Sequence, residues 1–142
     1  MLTQISVFLE NRSGQLLQIT DILSKNNINI RAINIAETSD YGVLRFVSDN
    51  SAASIEALKQ EGFVATTAKV VAVAVPDRSG GLNELLETIK EKEIDINYMY
   101  SIFGKTDGLA YMIFKVEDPD ALTKAFEDAG FTTADGKALG IN

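Results

Sequence analysis

The sequence predicts an α+β protein built from two successive βαββαβ units, each an antiparallel sheet with two helices on one face. Two observations predict it. At an offset of 66 residues the chain repeats itself, placing Asn11-Arg12-Ser13-Gly14-Gln15-Leu16 on Asp77-Arg78-Ser79-Gly80-Gly81-Leu82. Within each copy the apolar spacing alternates between strand-like and helix-like periods in one order: strand, helix, strand, strand, helix, strand. Ile5, Val7 and Leu9 fall on Val71, Val73 and Val75, and Leu23, Ile28, Ile30 and Gly42 on Ile89, Ile94, Ile96 and Gly108. The offset then becomes 68, so that Ala57, Gly62 and Phe63 meet Ala125, Gly130 and Phe131. These matches divide the chain into domains 1–69 and 70–142. Each is near the size at which one small core is marginal, so association between copies is expected.

In the first copy, Ile5 to Leu9 alternates as a strand, and Leu16, Ile19, Thr20 and Leu23 supply one face of a helix running to about Asn26. Ile28 to Glu37 reads as a second strand. The turn formers Thr38-Ser39-Asp40-Tyr41-Gly42 join it in a hairpin to a third, Val43 to Ser48. Ser51 is a candidate cap for a short helix presenting Ala52, Ile55 and Leu58, and Gly62 stands where a left-handed C-terminal residue is wanted. Phe63 to Val75 then reads as the last strand of one copy running almost directly into the first of the next. With no flexible linker, the two domains are expected to keep a fairly fixed relation.

The second copy repeats these signals. Leu82, Leu85, Leu86 and Ile89 form the first helical face, and Gly104-Lys105-Thr106-Asp107-Gly108 is the hairpin turn. Asp118-Pro119-Asp120 is a strong helix start: Asp118 can accept from orphan amides, Pro119 suits the first helical position, and Asp120 complements the positive helix end. Leu122, Ala125, Phe126 and Ala129 form the expected buried stripe, ending at Gly130. The order βαββαβ, twice over, is that of the ferredoxin-like fold.

Composition narrows the chemistry. The 142 residues contain neither cysteine nor histidine, which excludes thiol nucleophiles, disulfides, imidazole bases and Cys/His zinc sites. No cofactor is expected. Thirteen Lys+Arg against 20 Asp+Glu give −7, which disfavours attraction to a phosphate backbone. That charge is uneven: residues 1–69 carry six basic and seven acidic groups, or −1, and the remainder seven and thirteen, or −6. No apolar run approaches the roughly 20 residues that span a bilayer, and the N-terminal residues lack the pattern of a secretory signal, so the expected location is cytoplasmic.

The loop between the first strand and first helix is the best-preserved part of the repeat. A helix N-terminus offers unpaired N–H groups and partial positive charge to a carboxylate or phosphate, while Asn11 or Asp77 can accept from an ammonium. Gly14, Gly80 and Gly81 allow a ligand close to the backbone. The plainer alternative is that Ser13 and Ser79 cap the helices and the glycines turn the chain.

With this loop motif in both copies, the duplicated unit resembles a tandem pair of ACT domains, the amino-acid-sensing regulatory modules of many enzymes of amino-acid metabolism. The resemblance covers nearly the whole chain; it departs from the usual motif in having Ser13 and Ser79 where proline is common. It implies an effector held where this loop meets the second strand of a neighbouring ACT domain. The residues implicated are Asn11, Arg12, Ser13, Gly14, Gln15 and Leu16 with Asn29 and Ile30, and Asp77, Arg78, Ser79, Gly80, Gly81 and Leu82 with Asp95 and Ile96. Arg12 and Arg78 could pair with an effector carboxylate. Tyr98 and Tyr100 share one sheet face, and one of them could wall a side-chain pocket or pack between domains. Because Asp77 and Asp95 are anionic where Asn11 and Asn29 are neutral, the second site is expected to bind a cation more tightly.

The expected function is therefore non-catalytic: binding a small effector, an amino acid, and adjusting a separate partner such as an enzyme in trans, as a homodimer, with no nucleic-acid or membrane partner. The rival is an RNA-binding module, which shares the element order, and Gly108-Leu109-Ala110-Tyr111-Met112-Ile113-Phe114 faintly echoes its third strand. Against it stand the acidic second half and the placement of Tyr111 and Phe114 on opposite faces. No residue pair has the spacing of a nucleophile with its base, which counts against an enzyme.

Overall fold

Apolar alternation makes Leu2–Glu10 the first strand, β1, with Ile5, Val7 and Leu9 in the core and Phe8 and Glu10 on the opposite face. The computed structural model describes residues 1–10, 12–37, 40–103 and 108–141. The remaining elements are α1 (Gln15–Lys25), β2 (Ile30–Glu37), β3 (Tyr41–Ser48), α2 (Ser51–Gln60), β4 (Ala65–Pro76), α3 (Gly81–Glu91), β5 (Ile96–Ser101), β6 (Leu109–Val116), α4 (Pro119–Asp128) and β7 (Thr133–Ala134). Two compact units result. One comprises Thr3–Ala68 with Gly140–Asn142, and the other Lys69–Leu139 with Met1–Leu2.

In the first unit β3 lies between β1 and β2, antiparallel to both, and the Phe8 amide donates to the Val64 carbonyl at 3.2 Å just before β4 begins. In the second, β4 pairs with β6 and β7, and β6 with β5, again antiparallel. The registers repeat as the sequence does: Ile5 opposite Phe46 and Val7 opposite Leu44 correspond to Val71 opposite Phe114 and Val73 opposite Met112. Even the irregularity repeats, with a register shift between Ile30 and Ala32 and another between Ile96 and Tyr98. Each unit has its own core. Ile5, Val7, Ile19, Leu23, Phe46 and Leu58 are buried in one, and Val71, Val73, Leu85, Ile89, Phe114 and Phe126 in the other.

Several details differ from the sequence expectation. Asn50, not Ser51, caps α2, its side chain accepting from the Ala53 amide at 3.0 Å. The buried face of α2 is Ser54, Ala57 and Leu58, while Ala52 is exposed. The rotation follows from polar contacts, because Ser54 Oγ lies 2.8 Å from Ser48 Oγ and donates to the Asn50 carbonyl at 2.8 Å. Ala129 is exposed as the C-cap of α4 rather than part of its stripe. Asp118 does cap α4, accepting from the Ala121 amide at 3.1 Å. Of the two hairpin turns, Thr38, Ser39 and residues 104–107 lie outside the described residues.

Among the described residues, α1, α2, α3 and α4 end in the same way. An amide two positions past the cap donates back into the last turn: Ile28 to Leu23, Phe63 to Leu58, Ile94 to Ile89 and Phe131 to Phe126, at 2.9–3.1 Å. The residue between is left-handed, as this closure requires. It is glycine at 62 and 130 but Asn27 (φ 57°) and Glu93 (φ 53°) in the other two. A left-handed glutamate carries a Cβ penalty that glycine lacks. Glu93→Gly is therefore expected to stabilise the second unit by about 0.5–1 kcal/mol, with Glu93→Ala giving no gain. Urea unfolding of the two variants checks this, and equal midpoints would refute it.

Candidate functional site

The two β-to-α loops have a common backbone. In the first, Arg12 N–H donates to Glu10 O at 2.7 Å, Gln15 to Arg12 O at 3.4 Å and Gln18 to Gly14 O at 3.0 Å. In the second, Arg78 donates to Pro76 O at 2.9 Å, Gly81 to Arg78 O at 3.0 Å and Glu84 to Gly80 O at 3.0 Å. The N-cap residues are Gly14 (φ 83°) and Gly80 (φ 84°), both left-handed, and neither helix start has a side-chain cap. Ser13 and Ser79 thus do not cap their helices. The N-cap glycines offer no side-chain acceptor to the first-turn amides of α1 and α3, a geometry that suits an anion at a helix start.

On this shared frame the side chains differ. Gln15 opens α1 with its Oε1 buried and without a hydrogen-bond partner among the described residues. Arg12 reaches Glu10 at 3.0 Å in an exposed pair. Beside them is an open cavity of about 580 Å³, within the range of small-molecule sites. Phe8, Tyr41, Phe63 and Val64 form its apolar wall, and Gln15, Gln18, Asp40 and Glu61 its polar one. Asn11 lies outside the described residues.

In the second loop the backbone approaches Gly81 closely and the arginine pairs with the helix. A side chain at Gly81 would collide with the Pro76 carbonyl oxygen. Arg78 donates through Nη2 to both oxygens of Glu84, at 2.8 and 3.0 Å, and through Nη1 to the Ser79 carbonyl at 3.3 Å. The Asp77 amide donates to the Gly108 carbonyl at 2.9 Å. Leu16 and Leu82, at equivalent places, are each 38% exposed.

The second-strand residues lie elsewhere in their units. Helix α1 separates the first loop from Asn29 by eleven residues, about 16 Å of helix at 1.5 Å per residue. Asn29 is held through its backbone: its amide donates to Asp49 Oδ1 and its carbonyl accepts from the Asp49 amide, both at 3.0 Å. Asn29 and Ile30 line a shallow cleft with Asn27, and Asp95 and Ile96 line its counterpart with Lys90 and Glu93. Within one unit, therefore, the loop and second-strand groups do not converge. Tyr98 and Tyr100 share a face as expected, their rings stacked at 6.5 Å and 28°.

Sequence reasoning gave no ligand role to Phe8, Tyr41, Phe63, Val64, Asp40 or Glu61. A signal existed in the breaks of the repeat: Phe8 aligns with Ala74, Glu10 with Pro76, Tyr41 with Asp107, Glu61 with Ala129 and Val64 with Thr132. Among the described residues, no three acidic side chains come together to hold a metal, and no helix is long and apolar enough to cross a membrane.

Two βαββαβ units with matching registers and matching loops define a duplicated ferredoxin-like architecture. The chain belongs to the ACT domain pair family, whose model matches residues 1–128. ACT domains are regulatory modules. A protein from Bacteroides thetaiotaomicron is 29% identical, with a TM-score of 0.90 over 98% of this chain and 95% of its own. The ligand-free regulatory subunit of aspartate kinase from Thermus thermophilus shares the fold at 14% identity and a TM-score of 0.65, covering 90% of this chain and 91% of that one. The corresponding subunit from Thermus flavus is similar at 15% identity and a TM-score of 0.60, covering 89% and 91%. No curated protein sequence matches the chain.

Proposed function

We propose that this ACT pair is a non-catalytic regulator that binds an amino acid at its strand-to-helix loops and modulates a separate protein, an enzyme, in trans. The observation that carries the reading is the uncapped helix start behind a left-handed glycine, present in both units of a chain whose family is regulatory. The loops supply N–H groups for a carboxylate, and Asp40 and Glu61 stand near the first loop to receive an ammonium. A regulatory subunit of aspartate kinase supplies the precedent of this fold acting as a chain distinct from its catalytic partner. The effector would act by favouring one arrangement of ACT units over another, which requires different affinities for the two. In this reading Asn29, Ile30, Asp95 and Ile96 serve the loop of a neighbouring ACT unit, in the same chain or in a homodimer. The regulator works in the cytoplasm.

Thermal unfolding in the presence of each amino acid, and of nucleotides, tests this reading. An amino acid at a hundred times its Kd is expected to stabilise the chain by about 2.7 kcal/mol if it binds only the folded state. Absence of any shift, together with salt-sensitive binding to RNA, would replace it with the nucleic-acid reading.

A further inference from the structure

The two copies differ most where the first is hollow. Phe8 and Tyr41 are 49% and 46% exposed, their rings 6.3 Å apart at 57°, and Val64 beside them is 63% exposed. Apolar side chains gathered around a cavity, rather than scattered singly, indicate a binding surface. The charged lining is Glu10, Asp40 and Glu61 against Arg12 alone, three negative and one positive, or −2. Arg12 is already engaged by Glu10. Carboxylates and aromatic walls around one cavity together fit a positively charged donor carried on an apolar body.

Resting on the effector-binding reading above, we infer that this cavity is a ligand pocket contained within the first unit, specific for a primary ammonium attached to an aromatic or bulky apolar group. The ammonium meets Asp40 and Glu61, and the apolar group lies against Phe8 and Tyr41. The second copy cannot repeat this chemistry, because Ala74, Pro76 and Ala129 occupy the positions of Phe8, Glu10 and Glu61. The assignment is opposite to the one suggested by the anionic Asp77 and Asp95.

Calorimetric titration of the full chain with L-phenylalanine, phenethylamine, 3-phenylpropionate and glycine tests it. L-Phenylalanine and phenethylamine are expected to bind, with 3-phenylpropionate and glycine each weaker by about ten-fold or more, since one lacks the charged donor and the other the apolar body. Glu61→Gln and Phe8→Ala are each expected to weaken L-phenylalanine binding by about five-fold or more. Both positions are exposed, and circular dichroism confirms that the variants fold. Binding that survives these two changes but disappears in Asp77→Ala overturns this pocket while preserving the effector reading. A preference for 3-phenylpropionate or glycine also overturns it. Failure of L-phenylalanine and phenethylamine to bind overturns this pocket, and the effector reading falls with it only if no amino acid shifts thermal unfolding.

Discussion

Phe126→Ala is expected to lower the stability of the second unit by about 3–5 kcal/mol, the usual cost of emptying a core aromatic site. Phe126 is fully buried among Val71, Leu85, Leu122 and Phe114. Its ring lies 5.6 Å from that of Phe114, tilted by 58°, and 6.2 Å from that of Phe131, edge-on at 71°. Aromatic pairs in such geometry add about 0.5–1.5 kcal/mol each beyond area burial, so removing the ring loses packing on two sides. The first unit answers the same need with Leu58, which aligns with Phe126 and is equally buried. Leu58→Ala should therefore cost less, nearer the lower part of the about 2–5 kcal/mol range for leucine. Phe126→Leu, which copies the other unit, leaves the side chain apolar but forfeits both ring contacts and should fall between Phe126 and Ala. Urea midpoints at unchanged slope give the ranking. A loss below about 1 kcal/mol for Phe126→Ala would mean the site collapses around the gap.

Much of this architecture was legible because the chain states it twice. Val7 and Val73 mark core strand positions by alternation, and the 66-residue offset places one on the other, so each copy supports the reading of its counterpart. Asp118-Pro119 announces α4 because local chemistry alone decides a cap. Ser51 misled because Asn50, one residue earlier, is an equally good cap and wins by its extended backbone at φ −146°. The phase of α2 was hidden for a different reason: Ser54 is drawn inward by Ser48, a strand residue whose proximity no helical period reveals. The loops were recognisable as a pair, but not their difference. The pairing of Arg78 with Glu84 and of Arg12 with Glu10 depends on which side chains the tertiary fold brings within reach. The hollow beside Phe8 likewise joins residues from β1, α1, the start of β3 and the end of α2, which no short motif spans.

Exchanging one residue between the loops should expose their inequivalence directly. Gly81→Gln installs the residue that the first copy carries at the same place, yet it is expected to destabilise the second unit by about 2–3 kcal/mol. The reason is local. A Cβ at Gly81 runs into the Pro76 carbonyl oxygen and approaches the Pro76 carbonyl carbon at 3.2 Å, so backbone rather than a flexible side chain must move. That carbonyl also accepts from the Arg78 amide at 2.9 Å, and displacing it disturbs the turn that starts α3. Because Gly81 itself is helical, conformational strain contributes nothing and the penalty is one of space. Gln15→Gly, the reverse exchange, opens no such conflict and should cost no more than the helix propensity difference, about 0.5–1 kcal/mol. Gly81→Ala separates the two contributions: it carries the clash but not the longer side chain, and should account for most of the loss. If Gly81→Ala and Gln15→Gly shift the urea midpoint alike, the second loop is not closed by packing. That loop retains the helix start of its counterpart, but its Arg78 pairs with Glu84 on the helix where Arg12 pairs with Glu10 on the strand. One copy requires glycine where the other carries Gln15, and unequal costs at positions 15 and 81 are the measurable form of that division.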